Sequence, residues 1–137
     1  MIEFNYETNF QLNTESNIKK WILSCIEKEG FKIGDINYIF CDDTYLHQLN
    51  VEFLNHDTLT DIISFDNTVG KIIGGDIFIS IERVKENAET FAVLFDDELH
   101  RVLIHGVLHY MGFKDKSEED KATMRNKENE CLTLLIS

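Results

Sequence analysis

The apolar side chains of this 137-residue chain change period again and again without settling into a repeat, and that alternation constrains the fold more than any other feature. Ile2, Phe4 and Tyr6 alternate at period two, the pattern of a half-buried strand. Ile18, Trp21, Ile22, Cys25 and Ile26 then follow helical spacing, with Thr14 or Ser16 as the cap and Gly30 as the stop. Ile36, Tyr38 and Phe40 return to period two. Asp42 or Asp43 offers a cap for a helix through Tyr45, Leu46, Leu49 and Phe53. Two further strands are expected at Ile62 to Phe65 and, after a Gly74-Gly75 turn, at Ile77 to Ile81. Ser80 is placed to cap a helix running past Val84 and Ala88, and Asp96 one carrying Leu99, Val102, Leu103, Gly106 and Tyr110. The last helix starts at Ser117, where Ser117-Glu118-Glu119-Asp120 resembles a capping box, and runs toward Leu135. Such interleaving predicts an α/β (α+β) fold: a single layered domain over residues 1–137, with a small mixed sheet of about four strands flanked by helices.

A chain of this length can bury roughly 68% of its unfolded surface, so its core needs no metal or disulfide staple, and any metal site reads as catalytic before structural. Cys25, Cys41 and Cys131 are widely spaced with no C-x-x-C pair, and are expected as buried reduced thiols. No apolar run approaches the roughly 20 residues of a membrane span, and Met1-Ile2-Glu3-Phe4 does not read as a signal peptide, so the expected location is cytoplasmic. With 25 acidic against 13 basic residues the formal charge is −12, which argues against nonspecific attraction to nucleic acid over the whole surface.

The chemistry concentrates in His105-Gly106-Val107-Leu108-His109-Tyr110-Met111-Gly112-Phe113-Lys114-Asp115. His105 and His109, four apart on an expected helix, project from one face close enough to share an ion. Gly112 falls where the helix should end, and a left-handed turn there can bring Asp115 round as a third donor. Two histidines and a carboxylate with a fourth position open to water are what a catalytic Zn²⁺ site uses. Two histidines four apart also occur as ordinary helix residues; the glycine and carboxylate at these offsets favour the metal reading. The spacing overlays the zinc-protease pattern H-E-x-x-H-x-x-G-x-x-H, but Gly106 stands where that pattern has its general base, which argues against peptide hydrolysis. The two-His, one-carboxylate iron triad of oxygenases ranks lower, since nothing suggests a strand-rich barrel carrying the ligands. Asp96, Asp97 and Glu98 read as helix-dipole residues, His47 as a surface helix residue, and His100 as a contact around the site or with substrate.

The His105 to Asp115 segment resembles the metal motif H-G-x-L-H-L-x-G-Y-D-H of the YbeY family of bacterial rRNA maturation endoribonucleases. Upstream, Asn50 to Phe65 resembles the family's N-x-x-[YF]-R-x-x-D-x-P-T-D-V-L-S-F block, and Gly75-Asp76-Ile77 its G-D-I strand. The resemblance implies a zinc-dependent, single-strand-specific endoribonuclease that matures the 3′ end of small-subunit rRNA and serves ribosome quality control. It implies one Zn²⁺ per chain, held by His105, His109 and Asp115, which are also the catalytic residues; ribosomal RNA and the small ribosomal subunit as partners; and no organic cofactor.

Asp115 stands where the family has a third histidine, which should make a bound water less acidic than three histidines would. Leu54 stands where it has a phosphate-contacting arginine, and Leu59 and Asp66 where it has prolines. His56, Lys114 and Lys116 are candidates for the missing positive charge, and Ser64, with Thr60 and Asp61, for lining the cleft. No residue of the motif is an obvious general base, so the attacking group, water or the RNA 2′-hydroxyl, stays open. The alternatives are a metal-stabilised ribosome-assembly or RNA-binding factor with little nuclease activity, and behind it a zinc peptidase. Residues 1–99 hold seven basic and 19 acidic side chains, whereas residues 100–127 hold six basic and four acidic, so RNA is expected to meet the protein only near the metal motif.

Overall fold

Strand β1 (Ile2–Tyr6) runs parallel to β2 (Lys32–Cys41), with Ile2 opposite Ile36 and Tyr6 opposite Phe40. Strand β4 (Ile72–Ser80) lies parallel on the other side of β2, and β3 (Ile62–Asp66) closes the edge antiparallel to β4. The order β1-β2-β4-β3 is the small mixed sheet expected from the sequence. This computed structural model describes residues 1–54 and 60–136.

The helices are α1 (Glu15–Lys28), α2 (Asp43–Leu54), α3 (Ile81–Phe91), α4 (Phe95–Tyr110) and α5 (Glu118–Ile136). One face of the sheet presents Ile36, Tyr38, Phe40, Ile77 and Ile79, all fully buried beneath α1 and α4. On the opposite face Cys41 and Ile63, with Phe65 and Phe78 partly covered, pack against Leu46 and Leu49 of α2. Parallel strands buried evenly on both faces read as continuous apolar runs, and here the lighter cover of α2 on the second face leaves period two legible. The stripe Ile18, Trp21, Ile22, Cys25 and Ile26 is the buried side of α1. Helix α5 lies over α1 and α4, where the Trp21 indole donates to the Cys131 carbonyl at 2.6 Å. All three cysteines are free and buried. Among the described residues no helix is long and apolar enough to cross a membrane.

Three of the expected caps form. The Asp42 carboxylate accepts from Tyr45 N–H at 2.8 Å, Ser80 Oγ from Arg83 N–H at 3.2 Å, and Ser117 Oγ from Asp120 N–H at 3.0 Å. Helix α4 starts earlier than its expected cap. Leu94 holds the N-cap position without a side-chain bond, Phe95 packs edge-on against Phe10, and Asp96, Asp97 and Glu98 fall in the first turn.

The Gly74-Gly75 pair lies inside β4, not in a turn. The reversal sits further back, where Val69 bridges Ile72 and Gly70 has φ +60°. The physical reason is close approach. A Cβ on Gly74 would stand 2.9 Å from the Asp35 carbonyl oxygen, and one on Gly75 would stand 2.2 Å from the Phe65 carbonyl oxygen and 2.6 Å from Tyr110 Oη. Tyr110, at the end of α4, reaches through this gap to donate to the Phe65 or Asp76 carbonyl, each 3.1 Å away. Gly75→Ala should therefore lower the unfolding free energy by about 3 kcal/mol, the upper range for inserting a methyl into a packed site. A urea midpoint equal to that of the parent chain would refute this account of the glycine.

Candidate metal centre

Helix α4 is stopped by backbone bonds. Gly112 N–H donates to the His109 carbonyl at 3.0 Å and Phe113 N–H to the Leu108 carbonyl at 3.1 Å, the paired bonds of a Schellman turn. Gly112 holds φ +99°, the left-handed conformation expected of it. The reversal carries Asp115 back over the last turn of the helix.

The result is a convergence of three donors. His105 Nε2 lies 3.0 Å from His109 Nε2, the two rings cross at 84°, and Asp115 Oδ2 is 3.3 Å from each of those nitrogens. These three side chains could hold a metal ion. A tetrahedral Zn²⁺ with bonds of about 2.0–2.1 Å has ligand atoms about 3.3–3.4 Å apart, so the observed triangle is close to one face of such a polyhedron. Three electron-rich atoms facing one another also make an arrangement that a cation satisfies. Side-chain exposures of 21% for His105, 31% for His109 and 43% for Asp115 leave the remaining side open to solvent. Structural zinc sites are closed by four protein ligands; an open one is the catalytic kind.

Glu128 of α5 lies behind His105. Its carboxylate, 7% exposed, meets His105 Nδ1 at 2.7 Å and Arg101 Nη1 at 2.8 Å. Burial pushes the Glu128 carboxyl up, but the bonds from His105 and Arg101 outweigh it and hold the group below its ordinary range. Burial likewise pulls the His105 imidazole down, and the Glu128 bond and charge, with Asp115 and Asp61, bring it above its ordinary value.

A cavity of about 410 Å³ opens beside the donors, bounded by Asp61, Glu98, Arg101, Lys121 and Arg125 among others. Burial raises the carboxyls of both Asp61 and Glu98. Glu98 is thus a wall of the cavity as well as a first-turn residue. Gly106 faces the sheet: a Cβ there would stand 3.1 Å from Ile77 Cδ1 and 3.2 Å from Ile62 Cδ1. A Cβ at this position is thus directed at the sheet, and Gly106 itself carries no group that could act as a base.

The other expected contacts scatter. Lys114 and Lys116 are exposed on the turn around Asp115, outside the cavity lining. The Ser64 hydroxyl bonds the Tyr110 phenol, and Thr60 Oγ1 donates to the Ile62 carbonyl at 3.3 Å. His100 packs edge-on against Trp21, with burial lowering its pKa, and is not in the cavity wall. His56 and Leu59 lie outside the described residues. Glu128, Arg101, Lys121 and Arg125 are the residues that motif spacing missed. The signal for Glu128 was a carboxylate standing between Met124 and Cys131 on the buried stripe of α5.

A His/His/carboxylate centre on a helix and its following turn, open to solvent and backed by a four-stranded mixed sheet, has the design of a metal-dependent hydrolase. The endoribonuclease YbeY family model matches residues 2–135. The chain is 59% identical over 134 residues to the endoribonuclease YbeY of Flavobacterium johnsoniae, covering 98% of this chain and 96% of that protein. It is 57% identical over 133 residues to that of Christiangramia forsetii, covering 97% and 93%. The solution structure of TM1509 from Thermotoga maritima superposes with a TM-score of 0.68 at 26% identity, covering 98% of this chain and 89% of that one. The chain belongs to the endoribonuclease YbeY family.

The three-donor geometry leads to a direct expectation. One divalent ion should bind per chain, and His109→Ala should weaken it by more than the ~10–100-fold typical of losing an outer partner. Competition against a chromophoric chelator measures both, and equal affinities in parent and variant would contradict the geometry.

Proposed function

We infer that this chain is a hydrolytic endoribonuclease of ribosomal RNA processing. In detail, it is a zinc-dependent, single-strand-specific enzyme of the cytoplasm that matures the 3′ end of small-subunit rRNA and contributes to ribosome quality control. The single observation that carries the chemistry is the convergence of His105, His109 and Asp115 within 3.3 Å of one another beside an open cavity. His105, His109 and Asp115 would hold the Zn²⁺, which would supply Lewis-acid polarisation of a phosphoryl oxygen.

Around it, each residue has a separate task. His105 and His109 hold two donors rigidly on α4, and Asp115 completes the set from the turn. Lys121 and Arg125, spaced four apart on α5, take the phosphates of the strand entering the cavity. Their ion pairs are long, 3.8 Å to Glu118 and 3.9 Å to Glu128, and both are mostly exposed, so little is sacrificed in exchanging those partners for phosphate. Lys114 and Lys116 meet phosphates further along the strand, outside the cavity. The acidic remainder of the molecule repels RNA elsewhere and confines it to this approach.

One observation favours a second reading, a ribosome-assembly or RNA-binding factor with little nuclease activity. Leu54, at the position where the family pattern has arginine, is an exposed apolar residue at the end of α2. The two readings separate on single-stranded and duplex rRNA fragments assayed with chelator-stripped and Zn²⁺-restored protein. The nuclease reading expects cleavage of the single strand alone, abolished on stripping, regained with Zn²⁺ and absent in His109→Ala. Cleavage unchanged in stripped and mutant protein would sink the zinc mechanism, and binding to small-subunit particles without any cleavage would favour the assembly factor. For the cations, the paired change Lys121→Ala and Arg125→Ala should flatten the salt dependence of RNA binding by about 0.7 in log–log slope for each phosphate that the two side chains neutralise. Lys114→Ala should leave the cavity cations in place, and an unaltered slope in the α5 pair would remove these two residues from the phosphate path.

A further inference from the structure

Glu128 has no counterpart in the motif chemistry, yet it is a carboxylate buried between two helices, 23 residues beyond the histidine it touches. A buried charge is costly unless it is paired and hydrogen-bonded. Here both oxygens are engaged, Oε1 by Arg101 and Oε2 by His105. Arg101 is itself steadied, its Nη2 donating to Asn129 Oδ1 at 2.9 Å. A carboxylate only accepts, so the ring nitrogen at 2.7 Å, His105 Nδ1, carries the proton. That assignment leaves the opposite nitrogen, Nε2, as the donor facing His109 and Asp115.

We propose that Glu128 is a positioning residue of the metal centre: by accepting from His105 Nδ1–H it fixes the tautomer and ring orientation that present Nε2 to the cation. The proposal rests on the metal reading of His105, His109 and Asp115 and adds a residue to it. Glu128 is not itself a ligand. It holds the nitrogen on the far side of the imidazole, and the converging group consists of the other three side chains. Without it, the His105 ring is free to turn over and to exchange its proton between nitrogens, and the helix alone does not choose between them. The arrangement also gives α5 a role in the site. It carries the brace for a ligand borne by α4, so that the packing of these two helices sets the donor geometry.

The test uses the full-length protein and Zn²⁺ alone as the probe, with three readouts: affinity by chelator competition, His105 ring-nitrogen signals by long-range ¹H–¹⁵N NMR, and thermal unfolding. Glu128→Met, of similar shape and unable to accept, should weaken Zn²⁺ about 10–100-fold and lose the single Nδ1–H signature. Glu128→Gln, whose amide oxygen still accepts, should keep that signature and recover most of the affinity. If Glu128→Met melts earlier while its Zn²⁺ affinity and His105 signals match the parent, Glu128 is a packing residue and the proposal is overturned. The same follows if Gln and Met variants are equally impaired in affinity and tautomer. If the parent protein binds no Zn²⁺, the metal reading itself fails, an outcome distinct from either of these.

Discussion

Helix α4 packs closely on β3 and β4, and the placement of both histidines depends on that contact. Gly106 eases it, since a Cβ there would press on the Ile77 and Ile62 methyls, which would have to give by a few tenths of an ångström. Tyr110 locks it, because its hydroxyl passes under Gly75 to reach carbonyls of β3 and β4. One helix face is thereby fixed toward the core and the opposite one toward solvent. His105 and His109 ride on the boundary, partly covered and partly reached by water, where a metal can be held and a substrate can still approach. Val102, Leu103 and Val107 fill the space beneath them and leave the helix no freedom to roll.

Most of this architecture was legible in the periodicities. The α1 stripe, the alternation in β1 and β2, and the capping residues Asp42, Ser80 and Ser117 act locally, and local signals survive in one dimension. The misplacements share a cause. Gly74-Gly75 reads as a turn because glycine pairs commonly are, but these two glycines answer to Asp35, Phe65 and Tyr110, residues remote in sequence. Asp96 reads as a cap because it is a good one, yet the packing of Phe95 against Phe10 draws the helix start back beyond it.

The site divides in the same way. His105, His109, Gly112 and Asp115 are separated by fixed offsets on a helix and one turn, so spacing alone placed them together. Glu128, Arg101, Lys121 and Arg125 reach the same cavity through the packing of α5 on α4, which no offset encodes. Lys114 and Lys116 illustrate the converse: adjacent in sequence to Asp115, they are held outside the cavity by the turn that brings Asp115 in. Net charge was similarly blunt. The −12 of the chain says little about a cavity whose cations come from two helices and whose acids, half-buried Asp61 and buried Glu98, have raised pKa values.

The Schellman turn after α4 carries an evolutionary consequence. Its reversal is made entirely of backbone bonds and one left-handed glycine, so the position it delivers over the histidines is indifferent to which side chain stands there. The scaffold supplies an address and leaves the donor at 115 open to exchange. The aspartate at 115 therefore sets the charge of the three-donor group from a position that backbone bonds alone hold in place. A point substitution at this single residue would change the donor set and leave the scaffold that presents it as it is.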